Sequence, residues 1–344
     1  MKFAAGYQPP AFGRRFPEIT RQYADCLSEV FFPWPGAASG RPPILTDREF
    51  SQEEAEAILC EDLRAIRDQG IALDLLMNAN CYGAKAVSKQ FEQEIRDQIQ
   101  RMTDQGCRPQ IVTTTSLFVA RTIKTWFPEL EVRASVNMRI GTVQAMGYVA
   151  ALFDSFYLQR DLQRDLDHVR QVRLWCDANG KKLCMLANSG CLRFCPGQSF
   201  HDNLIAHCSE AETLEPVAGF NPHVCWNLYG KGEHAAEILK ATWVRPEDLA
   251  RYEGLVDVVK LATRQHSHPQ SVLGAYASGK WDGNLLDLLE PGFSPAFWPY
   301  YLDNRKIPTA FFDRVGQCRS GCTGCGYCEE ILSQALSRYD TDIQ

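Results

Sequence analysis

The amino-acid sequence predicts an α/β protein built around a TIM-type (β/α) barrel, complete or incomplete, over residues 51–284. Two observations predict it: short apolar runs alternate with helix-like segments along this region, and no Gly-rich dinucleotide turn follows the first run. Alternating strands and helices form parallel βαβ units, and about eight of them over about 250 residues close into a barrel. A doubly wound open sheet is the alternative architecture.

The first predicted unit begins with a helix. Ser51 and Glu54 have the spacing of a capping box, and Gly70 stands where that helix would end. The run IALDLLMN follows and is predicted as a strand. A second helix, stopped near Gly106, leads into the run QIVTTT. The later runs predicted as strands are VRASV from Val132, DSFYL from Asp154, KLCMLA from Lys182, EILKA from Glu237 and VDVVKLA from Val256.

Two segments fall outside the barrel pattern. Residues 1–50 are rich in Pro and Gly and are predicted to form an N-terminal cap with loops. Residues 285–344 are predicted to form an irregular C-terminal extension that carries the last four cysteines. The expected organisation is therefore a cap, a barrel and an extension.

The composition is that of a soluble globular protein with a large core, since 45% of the 344 residues are hydrophobic and 23% are charged. The net charge of −6 does not favour nucleic acid as a partner and favours a small-molecule substrate. A protein partner, either an electron donor or a subunit of a heteromeric complex, is compatible with it. The N-terminus lacks a signal-peptide core and no segment has the length of a membrane span, which predicts a cytoplasmic protein with reduced thiols.

Polar side chains follow the predicted strands. Barrels of this type place their active sites at the carboxyl-terminal ends of the strands, so these side chains are expected to line a binding mouth. Arg139, Arg160 and Arg264 are candidate catalytic residues that could hold a substrate carboxylate by bidentate hydrogen bonds. The alternative is that strand ends become polar where they meet solvent. The candidate cofactor-binding residues of this ring are Asn78, Asn137 and Asn188.

Four of the fourteen cysteines form a compact C-terminal group: Cys318, Cys322, Cys325 and Cys328. Bacterial ferredoxins use a similar spacing to hold a cubane cluster, which predicts a [4Fe–4S] cluster here. Zinc is the alternative, because four thiolates also satisfy a tetrahedral site.

A second cysteine group opens directly after the predicted strand KLCMLA, which places it at the barrel mouth and predicts a second [4Fe–4S] cluster. Its members are Cys191, Cys195, Cys208 and Cys225. His201 and His207 are candidate ligands or proton donors, and either Cys225 or a histidine could complete the site. The remaining cysteines are interpreted as small buried hydrophobic residues. They are Cys26, Cys60, Cys81, Cys107, Cys176 and Cys184. Cys81 is the least certain of these assignments, because it lies just after the end of a predicted strand.

Three segments resemble the collagenase-like peptidase family (peptidase family U32): NSGCLRFCPGQSFHDNLIAH, TWVRPEDLARYEGLVDVVKLATR and the terminal C-x3-C-x2-C-x2-C. The resemblance spans roughly residues 70–265. The better understood members of that family have modified TIM-type barrels and are oxygen-independent hydroxylases linked to prephenate as oxygen source. They hold a [4Fe–4S] cluster by four cysteines. The resemblance implies that the corresponding ligands here are Cys191, Cys195, Cys208 and Cys225.

The sequence and this resemblance together predict an iron–sulfur enzyme of oxygen-independent redox chemistry that hydroxylates a small, prenylated or aromatic substrate. One alternative is an electron-carrying accessory subunit. The other is a peptidase, for which the sequence offers neither an H-E-x-x-H zinc helix nor a G-x-S-x-G elbow. No single activated cysteine stands apart from the predicted cluster ligands.

Overall fold

The computed structural model describes residues 1–10, 14–45, 50–229, 232, 234–318, 322 and 324–340. Its centre is a closed barrel of eight parallel strands, each paired with the next in chain order and closed by the pairing of the eighth strand with the first. The strands are β1 (Phe3–Gly6), β2 (Leu27–Pro33), β3 (Ala72–Met77), β4 (Ile111–Thr114), β5 (Glu131–Ala134), β6 (Ser155–Tyr157), β7 (Lys182–Leu186) and β8 (Val258–Leu261).

The predicted TIM-type barrel is confirmed, and it is complete. Strands β3 to β8 coincide with predicted runs, whereas the run EILKA forms a short helix, Glu237–Lys240. The two strands that were not predicted lie in residues 1–50, which contribute β1 and β2 to the barrel instead of a separate cap. β1 reads FAAG and contains no β-branched residue, and β2 carries Glu29 and leads into a Pro- and Gly-rich stretch, so neither gave a clear strand pattern.

Helices surround the barrel on its outer face. The α-helices are α1 (Phe16–Gln22), α2 (Gln52–Arg67), α3 (Lys89–Asp104), α4 (Leu117–Trp126), α5 (Val143–Val149), α6 (Leu166–Ala178), α7 (Gln198–Ala206), α8 (Cys208–Ala211), α9 (Val224–Tyr229), α10 (Glu237–Lys240), α11 (Pro269–Ser278), α12 (Ser294–Phe297), α13 (Phe311–Gly316) and α14 (Tyr327–Ala335). Short 3-10 helices span Gly83–Lys85, Val136–Met138, Arg160–Leu162, Pro246–Tyr252, Leu285–Leu288 and Asn304–Lys306.

Helix α2 illustrates why these segments fold as they do. The Ser51 side chain accepts a hydrogen bond from the backbone N–H of Glu54, and the Glu54 carboxylate accepts one from the backbone N–H of Ser51, so the predicted capping box is present. Leu59, Leu63 and Ile66 recur at helical spacing and are fully buried. Burial of each such side chain stabilises the fold by about 1.5–3 kcal/mol.

The barrel interior has a polar layer, here called the buried ion cluster, formed by Glu29, Asp74, Glu131 and Arg133. Arg133 is fully buried and donates to both carboxylate oxygens of Glu29, at 2.6 and 2.9 Å, and to Glu131 at 2.7 Å. Burial alone would raise the pKa of Glu131, but the Arg133 charge and hydrogen bonds from Lys182, Ser155 and Arg133 lower it to about 2. Arg133 is therefore the common partner of Glu29 and Glu131, and Lys182 adds a second cation to Glu131 at 2.6 Å. A second, largely apolar interior group borders the cluster, since the Arg133 guanidinium lies 5.8 Å from the centre of the Tyr157 ring. This group consists of Ala4, Phe31, Leu76, Val136, Tyr157, Cys184, Leu186, Val258 and Ala262.

The segment between β7 and β8 is the longest connection of the barrel and carries helices α7 to α10. The C-terminal residues are more regular than expected: they contain α12 to α14 and an antiparallel pair of strands, β9 (Tyr300–Leu302) and β10 (Leu336–Arg338). Within the described residues, no helix combines the length and apolar character that crossing a bilayer requires.

Cys60 and Cys107 form a disulfide that joins α2 to the turn before β4. Both residues are buried, as expected for small hydrophobic side chains. The expectation that they are unpaired cysteines is wrong, because they form this disulfide. The sequence could not reveal the pair, because the two cysteines stand on different elements, 47 residues apart.

Candidate functional site

A pocket with several cationic side chains, here called the cationic pocket, lies at the carboxyl-terminal mouth of the barrel. Its charged walls are Arg41, Arg160, Lys260 and Arg264, together with the carboxylate of Glu290. Lys260 lies on β8 and Arg264 follows the same strand, so the parallel arrangement brings both to the end where such barrels bind ligands. The pocket encloses about 60 Å³.

Two of these arginines differ in how their hydrogen-bonding groups are used. Arg41 donates from Nε to Glu290 Oε1 at 3.0 Å, and its charge is therefore paired. Arg264 donates from Nη1 to Ser39 Oγ at 3.1 Å, while its buried Nε has no hydrogen-bond partner among the described residues. A buried N–H group without an acceptor destabilises the folded protein, so a ligand that offers an acceptor to Arg264 Nε would be stabilised there.

Burial lowers the pKa values of two cations of this pocket. Burial, reinforced by the nearby Arg41 charge, lowers the pKa of Arg264 to about 9. Burial also lowers the pKa of Lys260 to about 8, and its ammonium lies 3.8 Å from the centre of the Phe31 ring. The charged groups that act on Lys260 are Asp74, which opposes this lowering, and Arg264, Arg133 and Arg41, which add to it.

The predicted ring residues take different places around this mouth. Arg160 is buried and donates to Ser189 Oγ at 3.2 Å. Asn78 and Asn137 line the cationic pocket, as their position after strands predicts. Asn188 does not line this pocket. Its Nδ2 donates to the carbonyl oxygens of Ala262 and Leu288, and its Oδ1 accepts a hydrogen bond from the backbone N–H of Ala262. Asn188 therefore joins two chain segments and has no group left for a cofactor.

Helix α7 is tied to the rim of the mouth through Asp202. Arg139 donates to Asp202 Oδ2 at 3.0 Å and Asn80 donates to the same oxygen at 3.3 Å. Arg139 is thus a partner of this helix and is not among the side chains that line the cationic pocket. His201, on the same helix, makes an edge-to-face contact with His223, their ring centres 4.7 Å apart, and burial lowers its pKa.

Three cysteines of the predicted mouth cluster are neighbours, and we call Cys191, Cys195 and Cys225 the thiol trio. Burial, followed by the proximity of Cys191 and then Cys195, raises the pKa of Cys225 to about 11, and burial also raises the pKa of Cys195. Cys208, the other predicted ligand, begins α8. Among the described residues no three His, Cys, Asp or Glu side chains are arranged to hold one metal ion. We therefore derive no chemistry through a cluster here.

The C-terminal cysteines are also close to one another. Cys328 is buried, and burial raises its pKa to about 11, with Lys240 opposing and Cys322 and Cys318 adding to the shift. Cys325 is exposed. In the described part of the chain, these cysteines do not form a group of three side chains placed to hold one metal ion. Both [4Fe–4S] clusters stay predictions from the sequence.

A different cysteine has the environment of a nucleophile. Cys81 follows β3 and lines the same pocket as His207, which ends α7, and as Glu210. The Cys81 thiol and the His207 imidazole interact, and His207 Nδ1 lies 3.2 Å from Glu210 Oε2. We call these three residues the Cys–His site. The hydrogen bond from His207, and then one from the backbone N–H of Gly83 at 3.4 Å, lower the pKa of Cys81. The hydrogen bond with Cys81 in turn raises the pKa of His207.

The Cys–His site borders a second cavity of about 290 Å³, here called the rim pocket. Tyr82 and Phe91 form part of its wall, and Leu76 lines both this pocket and the cationic pocket, so the two cavities are neighbours. Sequence reasoning named Cys81 and His207 separately but not as a pair. The signal that could have joined them is weak, because they belong to connections after different strands.

The comparisons with known proteins agree with this fold. The chain is 34% identical over 184 residues to an uncharacterized protease of Methanocaldococcus jannaschii, covering 52% of this chain and 52% of the relative. The chain thus matches about half the length of that curated relative. It is also similar to the solved structure of the U32 peptidase Mk0906, with a TM-score of 0.51 and 16% identity, over 76% of this chain and 92% of that chain. No family model matches the sequence.

These findings correct the function predicted from the sequence. Both similar proteins carry the names of proteases or peptidases, and neither name refers to redox chemistry. The prediction of oxygen-independent hydroxylation by an iron–sulfur enzyme is therefore wrong, and the peptidase alternative is better supported. Cys81 also differs from two of the predicted cluster ligands, because its pKa is lowered while those of Cys195 and Cys225 are raised.

Proposed function

We propose that this chain belongs to peptidase family U32 and hydrolyses peptides with Cys81 as its nucleophile. The similarity to a named protease over half of the chain supports the family assignment. The observation that carries the proposal is that Cys81, His207 and Glu210 line one cavity, with His207 Nδ1 3.2 Å from Glu210 Oε2 and the imidazole close enough to the Cys81 thiol to act on it. Nucleophile, base and a third group that orients the base form the recurring pattern of covalent peptide hydrolysis.

The electrostatics of the Cys–His site favour the reactive form of the thiol. A thiolate is the nucleophile, and a neighbouring imidazolium stabilises it. The pKa of Cys81 is lowered and the pKa of His207 is raised, so both groups are shifted towards the charged forms of such a pair. The Glu210 carboxylate is 81% exposed, so its bond to His207 contributes little to stability and serves to hold the ring in place.

The reaction follows from these positions. The Cys81 thiolate attacks the carbonyl carbon of the scissile peptide bond, and the C–N bond breaks as His207 gives its proton to the leaving amine. An acyl-thioester remains on Cys81. His207, now neutral, takes a proton from a water molecule that attacks the thioester, which releases the carboxylic acid and restores the thiolate.

The rim pocket gives this reaction a binding surface. It has room for one or two substrate side chains, and its wall includes the aromatic rings of Tyr82 and Phe91, which lie 4.8 Å apart. Lys85 also lines it and pairs with Glu94 at 2.6 Å. A substrate with an apolar side chain next to the scissile bond fits this wall best.

The test is hydrolysis of a quenched fluorescent peptide library by the reduced full-length protein. Cys81→Ala should lower kcat/KM by at least about a thousandfold, because removing the nucleophile of such a unit abolishes covalent catalysis. The matched control is Cys26→Ala: Cys26 lies just before β2, at the opposite end of the barrel, and burial raises its pKa. Equal activity of the two variants would refute the assignment.

A second measurement reports on the thiol without a substrate. Iodoacetamide should modify Cys81 faster than Cys26 or Cys208 at about neutral pH, since the alkylation rate follows the thiolate fraction. Peptide mapping by mass spectrometry identifies the modified residue. His207→Gln should slow the modification of Cys81, while the rate at Cys26 should not change.

A further inference from the structure

We propose that the cationic pocket binds a carboxylate of the peptide substrate, which makes the protein selective for peptides that present a carboxylate near the scissile bond. This inference rests on the proposed function for the identity of the ligand as a peptide. The site itself follows from the charges, burial and size of the pocket. It commits to a carboxylate group, from either the peptide C-terminus or an acidic side chain.

The balance of charges in the pocket is strongly positive. Arg41, Arg160, Lys260 and Arg264 line it, and Glu290 is the one carboxylate among the described residues that do so. Glu290 is engaged by Arg41 through two hydrogen bonds, at 3.0 and 3.4 Å. Arg160, Lys260 and Arg264 therefore form no ion pair with a carboxylate among the described residues. Asp74 acts on Lys260 and Glu290 acts on Arg264 only through longer-range electrostatics. Buried cations are seldom left without a partner unless a ligand supplies one.

Two side chains offer specific donors to that ligand. Arg264 is 5% exposed, and its buried Nε has no hydrogen-bond acceptor among the described residues. Lys260 is 8% exposed, and its ammonium contacts the faces of Phe31 and Tyr157 rather than an acceptor in the described part of the chain. A carboxylate between them would accept charge-assisted hydrogen bonds from both, which are about twice as strong as neutral ones.

The energetic state of these groups supports the same conclusion. Burial lowers the pKa of Lys260 and of Arg264, which means that the empty pocket destabilises both charged forms. An anion placed beside them would remove that penalty. The pocket is thus arranged so that ligand binding, and not folding alone, stabilises its charges.

Size and position limit what the ligand can be. A volume of about 60 Å³ accepts a carboxylate group but not an amino-acid side chain together with its backbone. The larger rim pocket, about 290 Å³, adjoins it at Leu76 and is bordered by Cys81. A peptide whose carboxylate enters the cationic pocket would therefore continue towards the nucleophile.

The test measures binding in the Cys81→Ala background, so that no turnover occurs. Isothermal titration calorimetry compares three probes: trialanine, its C-terminal amide, and an amidated tripeptide with a central glutamate. Trialanine should bind at least about tenfold more tightly than its amide, as expected for loss of a charge-assisted pair. Arg264→Gln should abolish this preference, and Lys260→Met should do the same if Arg264→Gln fails to fold.

The control variant is Arg251→Gln, which removes an arginine paired with Asp313 at the surface and should preserve the preference. If the amidated glutamate peptide binds as tightly as trialanine, the proposal stands and the carboxylate is that of a side chain. Equal binding of all three probes would overturn it. Intact preference together with a wild-type protein that cleaves no peptide would refute the proposed function and leave the pocket assignment standing.

Discussion

Replacement of Arg133 by methionine tests the physical role of the buried ion cluster. Methionine has a similar length and fills much of the same space, so the substitution removes a charge and leaves only a small cavity. Arg133 donates hydrogen bonds to Glu29, Glu131 and Ser155, at distances from 2.6 to 3.0 Å, and its side chain is fully buried. The variant would leave two carboxylates near each other without their common partner.

The expected loss of stability is large. Removing one partner of a buried ion pair costs about 3–5 kcal/mol, because the remaining charge stays desolvated. The control is Arg170→Met, which breaks the exposed pair with Asp167 at 3.0 Å and should cost less than about 1 kcal/mol. Urea denaturation followed by circular dichroism measures both variants. Adding Glu29→Gln to Arg133→Met should recover part of the loss, since it removes one uncompensated charge.

The pH dependence supplies an independent check with a definite sign. The folded-state pKa of Glu131 is about 2, below its value of about 4.3 in an unfolded chain. A depressed carboxyl pKa contributes stability above the unfolded value, and this contribution is lost as the pH falls towards 2. The deficit of Arg133→Met should therefore be greatest at neutral pH and shrink below about pH 4. A deficit under about 1 kcal/mol at neutral pH would contradict this account of the cluster.

Three further predictions concern other parts of the molecule. Raising the pH from about 7 to about 9 should weaken trialanine binding in titration calorimetry, because Lys260 loses its charge near pH 8, and Lys260→Met should reduce this dependence. Cys60→Ala should lower the free energy of unfolding by up to about 4 kcal/mol under oxidising conditions and by little under reducing ones, since the disulfide with Cys107 closes a loop of 47 residues. The two clusters predicted from the sequence require about eight irons and matching sulfide per chain after anaerobic purification; zinc without sulfide would refute them.

Much of the barrel was predictable from the sequence, and the reasons are local. Strands β3 to β8 are buried on both faces, so each gives a short apolar run between helical segments. β1 and β2 were missed because β1 reads FAAG, without a β-branched residue, and β2 carries Glu29 and runs into a Pro- and Gly-rich stretch. That glutamate lies inside the barrel only because Arg133, on β5, reaches it. A side chain that is buried by a distant partner breaks the local pattern that prediction relies on.

The candidate site was predictable only in part. Strand ends identified Arg160, Arg264 and Asn78 as residues of the mouth, because topology alone fixes where parallel strands finish. Lys260 was missed, since it is a charge within an apolar strand. The Cys–His site could not be found from spacing, because Cys81 and His207 approach through tertiary structure. Cysteine clustering pointed instead to metal chemistry, which depends on side-chain convergence that spacing does not guarantee.

The long connection between β7 and β8 would make the proposed catalysis more fragile than the fold. His207 belongs to this connection and Cys81 to the one after β3, so the two reacting atoms meet only while both segments keep their places. The barrel strands do not depend on that meeting. Gentle heating could therefore separate the base from its thiol while the ellipticity of the sample is still unchanged. A preparation can be fully folded by spectroscopy and inert, and alkylation of one cysteine is the better measure of its quality.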